Sequence, residues 1–141
     1  MRSTRKIEHI ENYLKTEYVG DTLFSDVFIQ HNALPNLDMN DISTKTNFLD
    51  KILDFPLMIN SMTGGAEISY GINSDLGELS KEFNIAMATG SEKVALEKTE
   101  TASSFEVVRE KNPDGVVISN LNANESLEEA QNAVDLINKD K

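Results

Sequence analysis

The sequence predicts an α/β fold, and three observations carry the prediction. Three short apolar runs read as buried strands: about 55–60 (Phe55-Pro56-Leu57-Met58-Ile59-Asn60), Ile85 to Thr89, and Gly115 to Asn120. A stretch of helical periodicity follows each of them. Each run also ends in small or polar residues, above all Asn60-Ser61-Met62-Thr63-Gly64-Gly65. Apolar strands alternating with helices imply βαβ units and hence a parallel sheet. Such a sheet needs helices on both faces or closure into a barrel.

The elements follow in order. Residues 4–16 fit an amphipathic helix with Ile7, Ile10 and Leu14 on one face. Val27 and Ile29 suggest a brief extended segment, broken by Ala33-Leu34-Pro35-Asn36. Residues 41–54 read as a small hairpin turning within Asn47 to Lys51. The first parallel strand runs into the Gly64-Gly65 turn, then into a helix with Ile72, Leu76, Leu79 and Phe83 at helical spacing. The second strand ends in Gly90-Ser91, and a long link reaches a helix near Ser103. There Ser103 and Glu106 have capping-box spacing, Phe105 and Val108 face inward, and Pro113 ends the helix. After the third strand, Ser126 and Glu129 cap a last helix with Leu127, Ala130, Val134 and Ile137 on one face. The domain reading is an N-terminal arm and capping segment over 1–54 and three βα units over 55–141. A (β/α)₈ barrel takes about 250 residues. The expectation is therefore the N-terminal part of such a barrel, within a longer protein or a truncated gene product.

Composition narrows the function classes. With 141 residues, 39% apolar and 6% aromatic, the chain suits one soluble domain. No apolar run approaches the ~20 residues that span a bilayer. Arg2, Arg5 and Lys6 precede no apolar segment of signal-peptide type. The absence of cysteine excludes disulfides, thiolate metal sites and cysteine nucleophiles. A cytoplasmic location is the expectation. The net charge is -11, with -3 in residues 1–60 and -8 in residues 61–141. That field repels nucleic acid and anionic lipid, so neither is an expected partner. An anionic substrate would need local cations, and Arg5, Lys6 and Lys93 are the candidates.

The parallel arrangement sets the strand ends side by side. One rim would then hold Asn60, Asn120, Thr63, Ser91, Lys93 and glycine backbone. These groups suit a flat, hydrogen-bonding ligand such as a flavin ring, and each also reads as an ordinary strand cap. Arg5, Lys6 and His9 span about one helical turn and could converge on a phosphate-sized anion; a solvated basic N-terminus is the other reading. No Gly-x-Gly-x-x-Gly, P-loop, nucleophile elbow or His-Glu-x-x-His occurs. The rim has no paired carboxylates, Glu67 and Glu92 being the nearest. Proton chemistry would have to come from a cofactor or from residues outside this chain.

Several segments, taken in order, resemble the type 2 isopentenyl diphosphate isomerases. They are Arg5-Lys6-x-x-His9, Asn32-Ala33-Leu34-Pro35, Asp41-Ile42-Ser43-Thr44, Phe55-Pro56 leading to Asn60-Ser61-Met62-Thr63-Gly64-Gly65, Gly90-Ser91-x-Lys93, and Ser119-Asn120-Leu121-Asn122-Ala123. The resemblance implies a flavin-dependent (β/α)₈ barrel that interconverts isopentenyl and dimethylallyl diphosphates. It implies reduced FMN as acid and base, NADPH as reductant, Mg²⁺ on the diphosphate, and a homo-oligomer at full length. It also implies that Met62, Thr63, Gly64, Ser91 and Asn120 contact the flavin, and that Arg5, Lys6, His9 and Lys93 bind the diphosphate. Two positions depart from the family pattern. Lys93 stands where arginine is common, and Asn122 where glycine is common. The alternatives are an FMN oxidoreductase of the 2-hydroxy-acid oxidase type and a non-catalytic remnant.

Overall fold

Residues 2–17 and 19–138 are described by a computed structural model. Five α-helices surround two small sheets. Helix α1 spans Arg2–Lys15, and two short 3₁₀ turns follow at Phe24–Asp26 and Met39–Asp41. Strands β1 (Thr46–Phe48) and β2 (Lys51–Leu53) form an antiparallel hairpin with Thr46 opposite Leu53 and Phe48 opposite Lys51. Its two turn residues, Leu49 and Asp50, both have positive φ (49° and 60°), the mark of a type I′ turn. Strand β3 (Met58–Ile59), helix α2 (Glu67–Glu82), strand β4 (Ala86–Ala88), helices α3 (Lys93–Glu97) and α4 (Ser103–Lys111), strand β5 (Val117–Ile118) and helix α5 (Leu127–Ile137) complete the chain. The three later strands form a parallel sheet in the order β3-β4-β5.

The expected barrel portion is not what folds. The described residues give an open three-stranded sheet, with strands of two or three residues, and a separate hairpin. Side-chain alternation sorts the two faces. Met87 and Val117 meet Val107, Val108, Leu76 and Ile59 on the helix-covered face. Ala86 and Val116 point the other way, against Leu53 of the hairpin, with Ile118 alongside. One face is thus closed by helices and the other by a single hairpin. Central strand β4 is buried throughout.

Helix α2 packs on α4 through small and polar residues together with Leu76, one of the expected apolar positions. Ser69, Asn73, Gly77 and Ser80 are buried, whereas Leu79 and Phe83 stay largely exposed. The reason is close approach. A Cβ on Gly77 would lie 3.3 Å from the Val108 backbone. The buried polar groups are satisfied across the same contact: Asn73 Nδ2 donates to the Ser104 carbonyl at 2.6 Å, and Asn112 Nδ2 donates to Ser80 Oγ at 2.9 Å. Helix α5 is rotated in the same sense. It buries Ala133, Leu136 and Ile137, leaving Leu127 and Val134 outside. Its Ser126–Glu129 capping box forms; the one anticipated at Ser103 does not, because Ala102 is the N-cap and offers no side-chain acceptor. Val27 and Ile29 lie in no strand and are exposed, as are most apolar residues from Val19 to Ile42.

Two glycines of one helix give opposite expectations. Gly71 has open space where a Cβ would stand, so Gly71→Ala gains helix propensity and stabilises by up to about 1 kcal/mol. A Cβ at Gly77 would need Lys111 and the Val108 backbone, at 3.1 and 3.3 Å, to give by a few tenths of an ångström; a backbone packed in α4 resists this, so Gly77→Ala is expected to destabilise by about 1–2 kcal/mol. Urea denaturation of both variants reads the difference in sign.

Candidate functional site

The strand tips are stitched together at their carboxyl ends. Ser61 Oγ donates to the Thr89 carbonyl at 2.5 Å, and Gly90 N–H donates to the Thr63 carbonyl at 3.1 Å. Thr89 N–H donates to the Ile118 carbonyl at 3.0 Å, and Glu92 N–H to the Asn120 carbonyl at 2.9 Å. Residues 60–65, 89–93 and 119–122 therefore occupy one end of the sheet.

The double-glycine turn is filled by protein rather than left open as a platform. A Cβ on Gly64 would stand 2.1 Å from the Phe105 ring, and one on Gly65, at φ +82°, would stand 2.3 Å from Val94. Gly65 N–H donates to Ser104 Oγ at 2.8 Å, so it is not free for a ligand. Thr63 is buried, with its hydroxyl paired to Ser69 Oγ at 2.7 Å. Met62 is exposed, and Ser91 and Asn120 are half-buried. Of the five residues expected against a flavin, Met62, Ser91 and Asn120 keep surface at the tips. Thr63 and Gly64 serve packing.

The residues expected to bind a diphosphate do meet. A cavity of about 300 Å³ is lined by Arg5, Lys6 and His9 of α1 on one side. Ser91, Lys93 and Val94 line it from the β4 tip and α3, and Asn122 and Glu125 from the loop after β5. Arg5 and His9 lie one turn apart on the same helix face. Lys6 is half-buried, and loss of hydration pulls its ammonium below the usual lysine range. Among the described residues neither Arg5 nor Lys6 has an ion-pair partner. These are the conditions under which a cation gains from a bound anion.

Lys93 differs from them. Its Nζ donates to Glu125 Oε2 at 2.5 Å and to Glu129 Oε1. The hydrogen bonds to Glu125 and then Glu129 raise its pKa, and the bond from Lys93 foremost lowers Glu129 to about 2. No local sequence signal marks this contact, because Glu125 and Glu129 lie 32 and 36 residues from Lys93. Glu92 is the other residue whose place sequence reasoning missed. It is wholly buried, Oε1 accepts from Thr89 Oγ1 at 2.5 Å, and Oε2 has no hydrogen-bond partner. Burial pushes its carboxyl up to about 7, opposed by the Thr89 hydroxyl, the Asn120 backbone and the Ser119 hydroxyl. Among the described residues no three His, Cys, Asp or Glu side chains cluster as a metal site, and no helix is long and apolar enough to cross a membrane.

Glu92 makes stability pH-dependent. Its carboxyl ionises near 4.5 in the unfolded chain and near 7 when folded, so folding takes up a proton between those values. The cost is absent below the lower value, grows as pH rises, and is complete above the upper one at about 3 kcal/mol. Glu92→Gln should flatten the stability–pH curve across this window and stabilise the chain at pH 8. A variant with the parent's slope that is no more stable at pH 8 contradicts the assignment.

No family model matches the chain. Its sequence is 40% identical to an isopentenyl-diphosphate delta-isomerase of Sulfurisphaera tokodaii, over 98% of this chain and 39% of that protein. It is 39% identical to the isopentenyl-diphosphate delta-isomerase of a Geobacillus strain, over 99% of this chain and 40% of that protein. The protein of the same name from Bacillus cereus is 38% identical, over 97% of this chain and 40% of its own length. The chain thus spans about two fifths of the length of the curated relatives it matches.

Proposed function

We propose that this chain is the N-terminal portion of a type 2 isopentenyl diphosphate isomerase, an enzyme of isoprenoid biosynthesis that interconverts isopentenyl and dimethylallyl diphosphates. The supporting observation is the shared cavity: Arg5, Lys6 and His9 of α1 face Ser91 and Lys93 at the tip of β4. Arg5 and Lys6 would hold the diphosphate, Arg5 with a planar fork and Lys6 as a point charge. His9 would position it from the same helix face. Lys6 recovers by ion pairing what burial costs it. The names of the relatives give the same substrate class.

The residues at the strand tips fit FMN in part. Met62, Ser91 and Asn120 would hold one edge of the ring, and Thr63 and Gly64 would support them from below. Reduced FMN, when bound, would supply an acid and a base, with NADPH as the reductant. Glu92 does not take that role, because it is wholly enclosed and does not line the cavity shared by Arg5, Lys6 and Lys93. Mg²⁺ would arrive with the diphosphate, since no cluster among the described residues can hold it.

Calorimetric titration of the chain with isopentenyl diphosphate tests the reading. Removing both charges in an Arg5→Ala, Lys6→Ala variant should weaken binding by at least about tenfold. Unchanged binding would argue against it and favour a flavin oxidoreductase of the 2-hydroxy-acid oxidase type, which has no need of those two cations.

A further inference from the structure

We propose that Glu125 competes with the bound anion for Lys93, and so sets how strongly the cavity holds a phosphate group. This rests on the reading of the cavity as a diphosphate site. Lys93 and Glu125 line the same cavity, yet the Lys93 ammonium already lies on Glu125 and Glu129. The lysine side chain is only 22% exposed and that of Glu125 20%, so water screens the pair incompletely. One ammonium N–H is left for an anion, but two carboxylates on the same group offset its charge, so an anion gains the full cation by drawing it off them.

The two glutamates are not equivalent. Glu129 keeps a second task, because its Oε2 accepts from the Ser126 backbone N–H at 2.9 Å and from Ser126 Oγ at 3.1 Å. It would remain satisfied as the α5 cap after Lys93 moved. Glu125 faces the cavity itself, placed by a tight turn in which its N–H donates to the Asn122 carbonyl at 3.0 Å. It repels an incoming anion and holds the cation that anion needs. The cavity is thereby tuned: among the described residues Arg5 and Lys6 have no ion-pair partner, while Lys93 moves to a ligand with enough charge to displace a carboxylate.

The test is a double-mutant cycle on the 141-residue chain, with inorganic pyrophosphate as the probe and calorimetry as the readout. Glu125→Gln keeps the shape and removes the charge; Lys93→Met keeps the apolar stem and removes the ammonium. Glu125→Gln should tighten pyrophosphate binding by about fivefold. In the Lys93→Met background the same change should alter it less than about twofold, since the cation under competition is gone. An equal effect in both backgrounds would reduce Glu125 to a general field effect and overturn the proposal. So would an unchanged or weaker affinity in Glu125→Gln. Absence of pyrophosphate binding in every form, with urea midpoints showing each folded, would overturn this proposal and the diphosphate reading together. Binding by the parent without coupling overturns this proposal alone.

Discussion

The missing Cβ atoms at Gly64 and Gly65 are the constraint on which the site end of the molecule depends. They let the Phe105 ring and the Val94 side chain press against the turn after β3. Phe105 and Val94 then share a core cluster with Ala95, Ala102 and Leu136, which joins α3, α4 and α5. Any side chain at either glycine would lift α3 and α4 off the turn. Gly90 repeats the device, since a Cβ there would stand 2.4 Å from the Thr63 carbonyl oxygen. The tips can share hydrogen bonds because their backbones approach this closely.

The electrostatic arrangement follows from that packing. With α3 fixed against the turn, Lys93 is delivered to the start of α5, where its ion pairs tie the two helices together. Glu92, one residue earlier, is carried inward and loses its hydration. The N-cap and the first residue of α3 thus face different environments, Lys93 toward a cavity of mixed charge and Glu92 toward a buried pocket with Thr89, Ser119 and Asn120. In a chain of net charge -11, an anion site needs cations that no carboxylate already holds. Among the described residues Arg5 and Lys6 are such cations, whereas Lys93 is held by Glu125 and Glu129.

Much of the local structure was legible in the sequence. The positions of the three parallel strands, the turn of the hairpin and the Ser126–Glu129 cap could be read from apolar runs, turn residues and cap spacing. The barrel could not, because periodicity reports single βα units and says nothing of how a sheet closes. The buried face of α2 was misread because Ser69, Asn73, Gly77 and Ser80 score as polar or small. Close packing selects for small size there, and hydrogen bonding satisfies the rest. The double glycine was expected to leave its backbone accessible, but both residues are buried, and the space that their missing Cβ atoms open is taken by Phe105 and Val94. Arg5, Lys6, His9 and Lys93 could be nominated from residue type, and the structure brings them to one cavity. The carboxylates that hold Lys93 lie more than thirty residues away in sequence, beyond any local pattern.

Helix α1 and the β4 tip line one cavity, and the proposed site requires both to contact the same anion. A backbone ¹H–¹⁵N titration of the chain with pyrophosphate tests this most directly. The largest shifts are expected at Arg5, Lys6, Ser91, Lys93 and Glu125, saturating together, with the β1–β2 hairpin unmoved. Shifts confined to α1, or saturating at separate concentrations in α1 and at the tips, would contradict it.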